Sequence, residues 1–339
     1  MKKTILALAA AAAALTFASG AVAQTTLRVS NWLPPSHPII ADMIKPWAAD
    51  IESATQGRVK IEVMEAPLGP PPAQFDIVQT GQADIGFSVH GYTPGRFVLT
   101  KLVELPFLAD SAEALSVAYW RLHEASLAQA DEHRGVKLLS LFTHGPGHIF
   151  TTAKPVAAAG DIGGLKIRVG GGVVNDIASA LGAVPLLEPS SKAYEILSAG
   201  IADGIFFPHE SVPFFRLDTV VKHGTIVPSG LYNTSFFLVM NQASFDALSA
   251  DDQQAVMALS GEAFAKRAGA AWDAADAAGL EKMRSGGIQF VTLSQDQIAA
   301  LEEKLSGIEE KVVGEVSAKN IDGAAALKRL REDVAGYAK

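Results

Sequence analysis

Leu27-Arg28-Val29-Ser30 and Val59-Lys60-Ile61-Glu62-Val63 alternate apolar and polar residues, the period-two pattern of half-buried strands. Between them, Asn31-Trp32-Leu33-Pro34-Pro35-Ser36-His37-Pro38 cannot continue a strand or a helix, so it reads as a loop that presents Trp32 and His37. A helix is predicted over residues 39–55, and Gly81-Gln82-Ala83-Asp84 turns the chain into a strand through Ile85, Gly86 and Phe87. The β-α-β order with short connections implies parallel pairing and a sheet covered on both faces.

Asp110, supported by Glu113 three residues on, predicts a capped helix to about residue 132, ahead of a strand over 136–142. A second β-α-β set follows, with strands over 165–169, 184–187 and 204–207 and helices over 174–181 and 191–198. Two such blocks imply two lobes. Ser235-Phe236-Phe237-Leu238-Val239-Met240 is apolar enough for a buried strand and reads as the return to the first lobe. Ser249 with Asp252 signals a cap, and one helix is predicted from there to Arg284, stopped by Ser285-Gly286-Gly287. At its full length of about 50 Å it would brace both lobes. Ser294 and Gln297 open a further capped helix, and the stretch through Lys328, Arg329 and Arg331 predicts a solvated amphipathic one. The expected division is residues 24–145 with about 236–285 in lobe 1, and about 146–235 with 286–339 in lobe 2.

Residues 1–23 read as a cleaved export signal: Lys2 and Lys3, an apolar run from Ile5 to Phe17, then the small-x-small site Ala21-Val22-Ala23. That run is too short to span a bilayer. The chain has no cysteine, so it lacks the residue a bacterial lipoprotein needs, and the expected location is free in the periplasm. Loss of the leader lowers Lys+Arg from 28 to 26 against 36 Asp+Glu, a net of −10, which disfavours nucleic acid and anionic lipid as partners. An anionic ligand would then need a local, buried cation.

The candidate catalytic motifs are incomplete. Gly86-Phe87-Ser88-Val89-His90 resembles a nucleophile elbow but has histidine where the last glycine belongs, so a hydrolase using Ser88 is only an alternative. His144 and His148 are four apart, yet Gly145-Pro146-Gly147 between them prevents the helix that would align them on a metal. His209-Glu210 lacks the second histidine of a zinc-hydrolase motif, and Gly170-Gly171-Gly172-Val173-Val174-Asn175 misses the third glycine of a dinucleotide site. No catalytic residue, metal or cofactor is assigned. Arg168, at the end of a strand and followed by Gly170, Gly171 and a helix start, suits a carboxylate instead. A guanidinium holds a carboxylate in a bidentate pair, with hydrogen bonds to a charged group adding about 1.5–3 kcal/mol. From spacing alone, a surface ion pair at the strand end fits as well.

Gly164-Leu165-Lys166-Ile167-Arg168-Val169, Leu181-Gly182-Ala183-Val184-Pro185, residues 194–200 and Ala202-Asp203-Gly204 resemble the DctP-type solute receptors of TRAP (tripartite ATP-independent periplasmic) transporters. Gly57-Arg58-Val59, residues 81–84 and Leu105-Pro106-Phe107 extend the resemblance over most of the chain. It implies a two-lobed α/β periplasmic binding protein of type II-like form with hinge strands and a long lobe-spanning helix. It also implies a membrane permease as partner, a monomeric state, and Arg168 as the holder of the substrate carboxylate. Many members carry a polar residue where this chain has Phe207, and some carry a second arginine where this chain has residues 142–148. These departures point to one anionic end and an apolar or aromatic body, with a C4-dicarboxylate or a sulfonate as alternatives. Trp32, Phe87, Tyr92, Phe206 and Phe207 are the expected lining, with His90, His144, His209 and Tyr232 supplying hydrogen bonds.

Overall fold

The computed structural model describes residues 24–337, so the predicted leader lies outside the described residues. The strands are β1 (Thr25–Ser30), β2 (Val59–Val63), β3 (Ile85–Val89), β4 (Val136–Thr143), β5 (His148–Thr151), β6 (Lys166–Val169), β7 (Val184–Leu187), β8 (Gly204–Phe207), β9 (His223–Ile226), β10 (Ser235–Asn241) and β11 (Gln289–Thr292). They form a five-stranded sheet, β2-β1-β3-β10-β4, and a six-stranded sheet, β11-β9-β5-β8-β6-β7. The predicted parallel cores are present: β1 pairs in parallel with β2 and β3, and β6 with β7 and β8. Each core is extended by antiparallel pairing, β10 with β3 and β4 in the first sheet and β5 with β8 and β9 in the second.

The chain passes between the sheets after β4, after β9 and again before β11. The first two crossings run side by side: Gly147 N–H donates to Tyr232 O at 2.8 Å and Leu231 N–H to Gly147 O at 2.9 Å. A Cβ on Gly147 would lie 2.1 Å from the Tyr232 ring, so the close approach requires glycine.

Local signals explain several helix starts. Ser249 accepts from Asp252 N–H, and Ser294 with Gln297 forms a reciprocal capping box. The cap expected at Asp110 falls one residue later, where Ser111 accepts from Ala114 N–H; Asp110 instead accepts from Ser229 N–H at 2.7 Å. The helix predicted without interruption from Ser249 is two, Ala250–Ala258 and Gly261–Ser285. Gly261 takes φ of +54° where its backbone meets Trp120, and no helix continues through that conformation.

Gly261–Ser285 still ties the two bodies together. A Cβ on Gly269 would meet the Glu113 backbone at 2.3 Å beside the first sheet, and one on Gly279 would meet His209 O at 2.7 Å beside the second. Small residues at both crossings let a single rod press on both. At the chain end, Gln295–Ser317 packs on Val173–Ala180, and Gly323–Tyr337 packs on Gln295–Ser317 and on Ala112–Leu122, next to the first sheet. Leu327 and Leu330 are buried there, so the charged last helix has one apolar face and that face chooses the nearest apolar helix.

Candidate functional site

Alternation along β6 buries Ile167 and Val169 in one core and turns Arg168 to the other face, toward the crevice between the sheets. Arg168 is only 2% exposed. Its Nε and Nη2 donate to Glu188 O at 2.8 and 2.5 Å, and its guanidinium lies 4.7 Å from the centre of the Phe207 ring. Among the described residues it has no carboxylate partner. A buried cation left without an anion is costly, by several kcal/mol per ion.

A cavity lies in front of Arg168. Seven of the expected residues line it: Trp32, Tyr92, His144, Arg168, Gly170, Phe207 and Tyr232. Trp32 Nε1 donates to Phe87 O at 3.0 Å and its ring stacks on Phe87, so Phe87 stands behind the wall. Phe206 is likewise a backing residue, fully buried, with its carbonyl accepting from Tyr232 Oη at 2.9 Å. His209 stacks on His148 with ring centres 4.1 Å apart and faces a separate recess with Asp110, Asp273 and Asp276. The sequence reading missed Phe215, Phe236, Thr234 and Trp272, which also line the cavity; it placed His37 in its loop without giving it to the site. Trp272 stands alone among alanines 270, 271, 274 and 275, a large ring in a small-residue helix, and that contrast was the available signal.

The glycine-rich turn serves a different purpose from the one expected of it. The N-terminus of Val173–Ala180 is occupied by the protein's own carboxylate, Glu104 Oε2, which accepts from Val173 N–H at 3.0 Å. A Cβ on Gly171 would lie 2.2 Å from Gly91 O, so Gly171 is where the two bodies touch rather than a wall of the cavity. Tyr92 Oη reaches across as well and accepts from Ser190 N–H at 3.0 Å.

His90 also lies away from the cavity, in a buried chain of hydrogen bonds that ends at Glu104. Ser235 Oγ donates to Glu104 Oε1 at 2.6 Å, so His90 Nδ1, 3.0 Å away, must donate to Ser235 Oγ. His90 Nε2 is then an acceptor and takes the proton of His133 Nε2 at 2.9 Å. Ser235 N–H adds a third donor to Glu104 at 3.2 Å. Burial pushes the Glu104 pKa up, while these donors pull it down.

Under the hinge crossings, Asp276 on the long helix accepts Glu210 N–H at 2.7 Å, and His37 Nε2 lies 3.6 Å from Glu210 Oε1. Burial raises the Glu210 pKa to about 8 and that of Asp276 to about 7, and lowers that of His37 to about 3. Ser88 is buried in β3 and donates to Pro71 O at 2.7 Å, which commits its proton to the main chain. Among the described residues, no cluster of three or more His, Asp or Glu side chains could hold a metal ion, and no helix is long and apolar enough to cross a membrane.

Two α/β lobes with paired hinge crossings, a brace helix and a cation facing an aromatic crevice define a two-lobed solute-binding protein. The family model described as bacterial extracellular solute-binding protein, family 7 (DctP) matches residues 29–314, and the chain belongs to that family. A TRAP periplasmic solute-binding protein from Bordetella bronchiseptica, solved with (R)- and (S)-mandelate bound, superposes with a TM-score of 0.91 at 43% identity, covering 92% of this chain and 99% of that one. A marine metagenome TRAP solute-binding protein from an unidentified microbe, specific for aromatic acid ligands and solved with 3-hydroxybenzoate, gives a TM-score of 0.87 at 31% identity over 94% of this chain and 100% of its own. The outer membrane transporter protein TsaT of Comamonas testosteroni is 30% identical over 328 residues, 96% of each chain.

Proposed function

We propose that this protein is exported by its leader and captures a small aromatic monocarboxylate between its lobes for delivery to a TRAP-type permease. No bond is made or broken. The observation that carries this reading is Arg168, a buried guanidinium with no anionic partner among the described residues and an aromatic cavity before it. One edge is spent on Glu188 O, and a ligand carboxylate would take the remaining donors. Apolar side walls from Phe207, Phe215, Phe236 and Trp32 favour a ring over a polar chain.

Arg168 is the one Lys or Arg among the lining residues, which favours a single negative charge over a C4-dicarboxylate. The same donors would accept a sulfonate. The lobes, divided near residues 145 and 235, would open at the two hinge crossings and close on the acid. Calorimetry with benzoate, phenylacetate and mandelate tests the reading. Saturable binding is expected, lost by several kcal/mol in Arg168→Ala with an unchanged circular dichroism spectrum. Full affinity in the folded variant removes the mechanism.

A further inference from the structure

We propose that His144 makes the receptor selective for aromatic acids that carry a hydroxyl group, by offering that hydroxyl a fixed acceptor at Nε2. The inference rests on the receptor reading above and specifies the class of acid.

His144 lies in the first hinge crossing, between β4 and β5, and lines the cavity. Its backbone is held at both ends: its N–H donates to Thr234 O at 3.3 Å, and its carbonyl accepts from Asn233 Nδ2 at 3.0 Å. The ring meets Tyr232 edge-on, with centres 5.5 Å apart, and lies 6.1 Å from Phe236 and from Trp272. The tautomer follows from the contact of Nδ1 with Gly145 O at 2.5 Å. A carbonyl has no proton to give, so Nδ1 carries the hydrogen and Nε2 presents a lone pair. Burial, with a smaller push from the charge of Arg168, opposes protonation and holds the pKa at about 4, so the ring is neutral. Among the described residues Nε2 has no hydrogen-bond partner.

The rest of the polar lining mixes donors with the hydroxyls of Tyr92, Ser190, Ser211, Tyr232 and Thr234, which can donate or accept, so the His144 ring nitrogen differs in being an acceptor only. Arg168 offers only donors, and Trp272 Nε1 is a buried donor with no partner. The Tyr232 hydroxyl proton goes to Phe206 O and the Trp32 indole proton to Phe87 O. A carboxylate has no use for a lone pair, and a bare ring has none either. A hydroxyl donates to His144 Nε2 while keeping its own lone pairs for a donor such as Trp272.

The test is calorimetry on the mature chain with two pairs of acids, mandelate against phenylacetate and 3-hydroxybenzoate against benzoate. In the native protein the hydroxylated member of at least one pair should bind about tenfold tighter, the size of one buried neutral hydrogen bond. His144→Asn keeps a donor for Gly145 O and removes the Nε2 acceptor; in it, the preference, read as the ratio of affinities within each pair, should shrink to within twofold. His144→Phe should behave the same way, and a melting curve reports whether each variant is folded. Equal affinity within both pairs in the native protein overturns the assignment and leaves the receptor reading intact. A preference that survives in either folded variant also overturns it. Absence of binding by all four acids overturns both.

Discussion

Glu104 reaches from the first lobe to cap a helix of the second, its Oε2 accepting from Val173 N–H at 3.0 Å while Oε1 takes the Ser235 hydroxyl at 2.6 Å. Three donors from two parts of the fold converge on one buried carboxylate, so the contact exists only when the lobes are together. Replacement by glutamine leaves an amide N–H₂ facing at least one of those donors. We expect Glu104→Gln to weaken binding of an aromatic acid by about 1.5–3 kcal/mol, the value of a hydrogen bond to a charged group. Calorimetry measures the loss, and small-angle scattering of the ligand-saturated variant should report a less compact particle. Native affinity in the variant would show that the contact does not contribute to closure.

Gly171→Ala should wedge the lobes. The residue has φ of +80°, and its Cβ would lie 2.2 Å from Gly91 O and 2.9 Å from Leu187 Cδ1. Overpacking of this kind costs about 1–3 kcal/mol, so the dissociation constant should rise roughly tenfold or more. The ligand-free melting temperature should also fall, but by less, because separating the lobes relieves the contact with Gly91 O and leaves the strain at φ of +80° and the contact with Leu187. An equal loss in free and bound stability contradicts this account.

Arg168→Lys separates charge from geometry. The ammonium retains the positive charge but cannot hold Glu188 O through two N–H groups and also present a flat fork to a carboxylate. Binding should fall by about 1.5–3 kcal/mol, less than in Arg168→Ala. Lysine that matches arginine in a titration shows that only the charge is used.

Stability should peak at pH ~7. Burial holds His37 and His90 at about 3 and His123, His144 and His209 at about 4, and lowers His133 and His148 as well. The unfolded chain takes up protons at these histidines below pH ~6.5 and the fold does not, so their contribution is lost as pH falls from there. Glu210 at about 8 and Asp276 at about 7 act oppositely. The fold keeps protons on them that the unfolded chain has released above pH ~4, so stability falls as pH rises toward 8. Below pH ~7 the histidines outweigh the raised acids, and above it the acids dominate. Melting temperatures from pH 4 to 9 check the curve, and Glu210→Gln should flatten its alkaline side. A melting temperature that climbs steadily from pH 6.5 to 8 contradicts it.

Some of this was legible along the chain because its cause is local. Val184–Leu187 and Gly204–Phe207 are strands in the sequence reading and in the fold, and the capping box of Ser294 and Gln297 lies within one helical turn. β5, β9 and β11 escaped it because four-residue strands are made by their neighbours and leave little periodicity of their own. The break at Gly261 escaped because a glycine inside a helical pattern does not by itself reveal a positive φ, and the Trp120 ring it lies against is distant in sequence.

The sequence by itself determined the family and two β-α-β blocks and singled out Arg168 as the candidate anchor, since pattern and motif are properties of neighbouring residues. Only the tertiary structure decided what Arg168 faces. It brought Trp32, Tyr92, Tyr232 and Trp272 to one cavity, and moved Phe87, Phe206, His90, Gly171 and His209 out of it. It also filled the helix start with Glu104 in place of a ligand. Those outcomes turn on contacts between segments far apart in the chain, where packing and unpaired charge select the partner and local sequence does not.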